Sequence, residues 1–184
     1  MPSTHQIVPG RSCEGCTMCC KLFGIPELAK PRHQWCGHCD VGKGCRSYET
    51  RPQSCRDFVC GYLVDAQVPE HWKPSKSRMV LTSENGGRRL VIHVDTGRLD
   101  AWKKAPYYAE IKNLAVQAAR LRNQIILWQG HDAIAILPDR EKRLGPIRDG
   151  QIIVTTERDG PGGGDLDVVV VDADDPLATG LSRP

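Results

Sequence analysis

Four cysteines fall within eight residues in the stretch CEGCTMCC, Cys13 to Cys20, and five more follow at Cys36, Cys39, Cys45, Cys55 and Cys60. The other two thirds of the chain contain none, which sets a composition boundary near Gly61. Between Cys20 and Cys60 there are few periodic apolar residues beyond KLFGIPELAK, which predicts one short helix; the rest is largely Gly, Pro, Arg and Cys. Such a segment cannot bury enough apolar surface to offset the entropy of ordering it. A structural metal can supply the difference, because the free energy of binding an ion becomes folding free energy.

The opening residues MPSTHQIVPGRS lack the apolar run of a signal peptide, and the longest aliphatic run is Val168 to Val171. These features predict a cytoplasmic chain with no membrane span. In a reducing cytosol clustered cysteines read as metal ligands or redox groups rather than disulfides, and nine is an odd number for a closed disulfide framework. The formal charge of +3 also has a location. Residues 1–62 carry eight Lys and Arg against five Asp and Glu, while residues 63–184 carry 17 against 17. Nine thiolates around two Zn²⁺ would bring the first segment to about −2. The basic residues then read as charge compensation, which argues against nucleic acid as the partner.

Beyond the cysteines the pattern changes. GYLVDAQVPEHWKPSK reads as a connection broken by Pro69 and Pro74. SRMVLTS and RRLVIHV flank ENGG and predict a hairpin, since Asn and Gly tolerate the positive φ of a tight turn. PYYAEIKNLAVQAARLRN places Ile111, Leu114, Ala118 and Leu121 on one helical face, with Pro106 in the first turn. QIILWQG, AIAILP, QIIVTTE and LDVVVVD read as four further strands. The order β-β-α-β-β-β-β predicts an α+β fold: a small metal-stapled cysteine-rich N-terminal module followed by an antiparallel sheet with one main helix. The expected divisions are a metal-binding module at 1–62, a connecting segment at 63–76, an α+β domain at 77–172 and a mobile tail at 173–184. The glycine run in DGPGGGD has no following Lys-Ser/Thr and reads as a surface loop, not a phosphate-binding loop.

Cys-x-x-Cys spacing brings two sulfurs to the same side of a tight turn, and it occurs at Cys13/Cys16, Cys16/Cys19 and Cys36/Cys39. The adjacent Cys19 and Cys20 point in different directions in either helical or extended backbone, so they are poorly placed to share one tetrahedral ion. They serve two neighbouring centres, or one of them lies outside the metal shell. Eight cysteines make two Zn(Cys)₄ sites with one thiol left over; such a thiol in a basic neighbourhood would be reactive, with a lowered pKa, and Cys39 is the candidate for it. Nine can make a trinuclear zinc cluster with bridging thiolates. Four could instead hold a [4Fe-4S] cluster, and CEGCTMC does look like the start of a bacterial ferredoxin run. No cysteine here precedes a proline, as a ferredoxin's remote ligand usually does, so zinc ranks ahead. All nine cysteines are candidate metal ligands.

CEGCTMCC followed by WCGHCDVGKGCRSYETRPQSCRDFVC resembles the CxxCxxCC family of zinc- or iron-chelating domains, the YkgJ-like cysteine-cluster proteins. That family has about eight cysteines, a C-x-x-C-x-x-C-C start and a later G-C-x-x-Y-x-x-R-P-x-x-C-R-x-F-x-C. The match runs through Cys13, Cys16, Cys19 and Cys20, then Gly44, Cys45, Tyr48, Arg51, Pro52, Cys55, Arg56, Phe58 and Cys60, with Cys36 as the middle cysteine and Cys39 as an extra. It covers about residues 13 to 62, roughly a quarter of the chain. The resemblance implies a metal site and no settled reaction. A related segment accompanies flagellin lysine methylases, but no glycine-rich methyl-donor site follows a strand here, so that activity is not carried over.

The remaining candidates have structural readings. Arg46, Arg51 and Arg56 neutralise thiolate charge and donate hydrogen bonds near sulfur, while Tyr48 and Phe58 pack a small core around the metals. His38, inside CGHC, reads as a solvent-facing or outer-shell histidine, and the five other histidines suggest no catalytic triad. Trp102, Tyr107 and Tyr108 beside Lys103 and Lys104 read as a core Trp, a helix start and solvated lysines rather than a nucleic-acid patch. No catalytic residue emerges. Closed thiolate sites point to a metal-binding module that chelates ions or meets a protein partner, and an iron-sulfur protein with a redox or enzyme-associated role is the alternative.

Overall fold

The computed structural model describes residues 6–158 and 165–179. The cysteine-rich part uses little regular structure. It comprises helix α1 (Met18–Leu22), a 3₁₀ turn at Pro26–Leu28, the two-residue antiparallel strands β1 (Cys39–Asp40) and β2 (Gly44–Cys45), and the short helices α2 (Gln53–Asp57) and α3 (Gly61–Val64). A 3₁₀ turn at Glu70–Trp72 and helix α4 (Pro74–Ser77) lead into the sheet.

Strands β3 (Met79–Glu84) and β4 (Arg89–Val94) form the expected hairpin, with Met79 opposite Val94 and Glu84 opposite Arg89. The turn residues Asn85, Gly86 and Gly87 all have positive φ, which is why this sequence turns here. Helix α5 (Tyr107–Arg120) then crosses to β5 (Gln124–Gln129), followed by β6 (Asp132–Ile136), β7 (Glu141–Pro146), β8 (Gln151–Arg158), β9 (Asp165–Asp172) and the turn α6 (Pro176–Thr179). The main sheet runs β3-β4-β5-β6-β7, and β8-β9 form a second, two-stranded sheet.

The α+β architecture is the one read from the sequence, with two differences. First, β4 and β5 pair in parallel. A helix-sized connection separates them, and it allows the crossover that a short turn would forbid. Second, β7 (EKRLGP) joins the sheet edge although its charged residues, Gly145 and Pro146 gave no strand signal. An edge strand tolerates such residues, because one side of its backbone needs no partner.

Both faces of the sheet are covered, so its strands read as nearly continuous apolar runs. On one face Met79, Leu81, Ile92, Val94, Ile125, Leu127, Ile134 and Ile136 pack against Ile111 and Ala115 of α5 and against Trp102. On the other, Ile126, Ala133 and Ala135 meet Ile153 and Val168 of the β8-β9 hairpin, while Val80 meets Met18 and Leu22 of α1. Ile111 carries the helix face as expected, but Leu121 falls just past the last turn and is exposed. The stretch read as a connection contributes to the core: Trp72 is buried in it, and its indole Nε1 donates to Glu110 Oε2 at 2.6 Å. Most of the DGPGGGD loop and residues 180–184 of the tail lie outside the described residues.

Further contacts hold the cysteine-rich part to the sheet. Lys21 Nζ donates to Asp95 Oδ1 at 2.5 Å, and the Asp95 side chain is only 6% exposed. Phe23 packs edge-on against His93 of β4, with ring centroids 4.7 Å apart. Gly61 lies so close to β3 that a Cβ there would stand 3.0 Å from Leu81 Cβ. At the chain start, the Arg11 guanidinium stacks on Tyr62 and donates to the carbonyls of Asp65 (2.7 Å) and Val68 (2.6 Å).

Candidate metal centre

The backbone of the cysteine-rich part is a set of tight turns that bring sulfurs together. The Cys16 N–H donates to the Cys13 carbonyl at 2.9 Å, with Gly15 at φ +67° inside the turn, and the Cys39 N–H donates to the Cys36 carbonyl at 3.0 Å. These are two of the three Cys-x-x-Cys turns expected from spacing. Cys36 N–H also donates to the Cys20 carbonyl at 3.1 Å, tying the second turn to α1. Strand pairing sets Cys39 opposite Cys45, and Pro52 starts the turn that presents Cys55.

Eight of the nine predicted ligands, Cys13, Cys16, Cys19, Cys20, Cys36, Cys45, Cys55 and Cys60, line one cavity of about 620 Å³. Cys39 does not. All nine are free thiols. Phe23, Phe58, Leu63 and Val80 form apolar parts of the wall, with the Phe23 and Phe58 rings tilted 45° at a centroid distance of 4.6 Å. Among the described residues, no three His, Cys, Asp or Glu side chains are gathered tightly enough to hold an ion as they stand. The four sulfurs of a tetrahedral zinc site lie only about 3.8 Å from one another, as a Zn–S bond of about 2.3 Å requires. The thiols therefore face a shared space without converging on a point.

Electrostatics divide these thiols into two groups. Cys60 interacts with Cys13 and Cys16, whereas Cys55 interacts with Cys36 and Cys45; Cys20 acts on both Cys13 and Cys55. Cys20 thus interacts with members of both groups, and its neighbour Cys19 interacts with Cys20 and Lys30. Burial pushes the Cys60 thiol up to about 11. Burial also raises Cys13, helped by Cys16, and raises Cys55. Cys20 is raised first by its hydrogen bond to Cys19 and then by burial. Crowded thiols in an apolar wall resist ionisation until a cation joins them.

The cations nearest the sulfurs differ from those expected. Arg46 donates to the Gly37 carbonyl at 2.5 Å, and Arg56 donates to the carbonyls of Arg51 (2.9 Å) and Glu49 (3.0 Å). Both brace loops. Arg51 stacks on Tyr48 at 4.0 Å and, with Lys73, favours the charged form of Cys13. Tyr48 is half exposed at the rim, so only Phe58 of the two expected aromatics packs inward. Lys30 carried no motif and was missed from sequence. Its ammonium donates to the Lys21 carbonyl at 3.2 Å and to the Phe23 carbonyl, and burial lowers its pKa against the opposing pull of Cys36, Cys20, Cys19 and Cys55. His38 is exposed, with Nδ1 3.1 Å from Ser47 Oγ.

Trp102 is buried in the main core, Lys103 pairs with Glu141 and Lys104 with Asp100, so that aromatic cluster presents no free indole face. Among the described residues no helix is long and apolar enough to cross a membrane. No family model matches the chain, and no curated protein or solved structure is similar to it.

Proposed function

We propose that this is a metal-binding protein whose N-terminal part holds two metal centres in thiolate sites and serves as a chelating or interaction module. One observation carries the reading: eight free thiols from distant turns share the wall of one cavity, with Lys30, Arg51 and Lys73 beside them. An all-thiol donor set suits zinc or iron-sulfur chemistry rather than hard cations such as Mg²⁺ or Ca²⁺. Cys13, Cys16 and Cys60 would hold one centre and Cys36, Cys45 and Cys55 the other, with Cys19 and Cys20 completing the two sets of four. Zinc bound in this way supplies closed cross-links without redox chemistry. The resemblance to the CxxCxxCC chelating domains points the same way. Eight ligands for two four-coordinate centres leave no protein position open, so the module is read as a binding element and not as an enzyme.

A second reading, iron-sulfur, is favoured by one observation: about 620 Å³ shared by eight thiols is far more room than two zinc ions occupy. Four of these thiols would hold a [4Fe-4S] cluster in such a space, and the cluster would supply one-electron redox chemistry there. Single Cys→Ser changes test the assignment common to both readings. C13S, C45S and C60S should each lose at least one metal centre and expose the first 60 or so residues to protease, while the sheet stays folded. Full metal content in all three would defeat the proposal.

A further inference from the structure

The cavity thiols are not all held alike. Cys19 and Cys20 sit on α1, whose Met18 and Leu22 are buried against Val80. Cys36 is tied to α1 by its N–H bond to the Cys20 carbonyl, and Cys45 is fixed by pairing with Cys39. The turn carrying Cys55 is gripped by Glu27, whose carboxylate accepts the Ser54 N–H at 2.9 Å and the Ser54 hydroxyl at 2.7 Å. Cys60 leads straight into α3, which buries Tyr62 and Leu63 and sets Gly61 against Leu81.

Cys13 and Cys16 stand on a different kind of support. Residues 12–16 belong to no helix or strand. Ser12, Cys13, Glu14 and Gly15 are exposed, yet Ser12, Cys13, Glu14 and Cys16 also line the cavity, so this segment is a one-chain wall between the thiols and solvent. Among the described residues its hydrogen bonds stay inside it: Glu14 N–H donates to Ser12 Oγ at 3.3 Å, and Cys16 N–H donates to the Cys13 carbonyl at 2.9 Å. Its ends are fixed. On one side Thr17 is buried, and its Oγ1 accepts the Gly42 N–H at 3.1 Å. On the other, Val8 N–H donates to the Leu63 carbonyl at 2.8 Å, and the Arg11 guanidinium grips the end of α3 through the carbonyls of Tyr62, Asp65 and Val68. Exposed backbone with few outside bonds is where a fold opens locally at least cost.

We infer that residues 12–16 form a flap latched by Arg11, and that the centre holding Cys13 and Cys16 exchanges its ion through this flap while the other centre retains its own. The inference rests on the metal-thiolate reading of the cavity. One tight turn carries both Cys13 and Cys16, so they swing out together, whereas Cys36, Cys45 and Cys55 have braced backbones. The exchange is a ligand substitution: donor atoms of a soft thiolate or nitrogen acceptor replace the two flap sulfurs on the ion, no electron moves, and the released thiolates take protons from solvent.

The test uses the full chain loaded with Zn²⁺, wild type and R11A, challenged with a coloured chelator while pulses of a thiol-alkylating reagent mark the freed cysteines for mapping by mass spectrometry. Wild type should release zinc in two phases, with Cys13 and Cys16 alkylated in the fast phase and Cys36, Cys45 and Cys55 only in the slow one. R11A should bind as much zinc as wild type and quicken the fast phase about tenfold or more, the effect of losing a hydrogen bond to a charged group, with the slow phase unchanged. Release in a single phase, with these cysteines alkylated together, would overturn the inference. So would R11A that leaves both phases as in wild type, or quickens both alike as a general loosening of the fold does. If R11A does not fold, the order of alkylation in wild type decides alone. Wild type that takes up no Zn²⁺ would sink the metal reading and this inference with it, a result distinct from zinc that is bound and released in one phase.

Discussion

His93 should make this protein sensitive to mild acid. It lies on β4 at 7% exposure, with Phe23 edge-on at 4.7 Å and Nε2 2.9 Å from Thr82 Oγ1. Burial, then the charges of Arg32 and His33, push its pKa down to about 3. An unfolded histidine titrates near 6.5, so between these values the unfolded chain binds more protons and stability falls as pH falls. The contribution is fully present above about pH 6.5 and is lost as pH drops below it. With the folded group held neutral through this range, roughly 1 kcal/mol of stability is lost between pH 7.5 and 5.5.

Asp95, Glu27 and Glu70 stay charged across that window, because their pKa values are lowered from already acidic values. His33 shifts in the same direction as His93 and is present in both wild type and a His93→Gln variant, whose amide can bond Thr82. Urea unfolding of wild type and H93Q at both pH values isolates His93 as a difference of differences. Wild type should lose roughly 1 kcal/mol more than H93Q. Equal losses would show that His93 is not held neutral by burial, and would refute the packing of Phe23 and the module against β4.

Two further substitutions probe this seam and the opposite face of the sheet. Asp95→Ala leaves Lys21 half-buried without its partner and should cost about 3 kcal/mol, read from urea unfolding, with faster proteolysis of the first 60 or so residues than in wild type; a loss under about 1 kcal/mol would make the pair incidental. Ile111→Ala empties a fully buried position between α5 and the sheet and should cost about 2–5 kcal/mol by the same assay, with metal content per folded chain unchanged.

Local chemistry was legible in the sequence, and long-range pairing was not. Asn85-Gly86-Gly87 announced the β3-β4 turn because few other residues accept those φ values, and the spacing of Ile111 and Leu114 announced α5. The parallel β4-β5 pair was hidden, because strand direction depends on where a crossover returns and leaves no mark in either strand. β7 was hidden because an edge strand needs no apolar face, and Trp72 because two prolines made its surroundings look like a linker. Cys39, expected as a reactive thiol of lowered pKa, is instead pushed up by burial, and the cysteine spacing pointed to the other eight, which line one cavity. Its electrostatic surroundings were less visible: Lys30 lies among the thiols through a tertiary turn, while Arg46 and Arg56, close to ligands in sequence, spend their donors on loop carbonyls.

The central claim is that the eight cavity thiols exist to hold metal. The most direct test is metal content per chain by mass spectrometry, with an absorption spectrum, on protein purified without oxygen. The account predicts at least two metal ions per chain: two zinc in a colourless sample, or about four iron with a broad band near ~400 nm if thiolate-ligated clusters fill the cavity. Folded protein that carries less than one metal ion per chain, with nine thiols free to react, would contradict it.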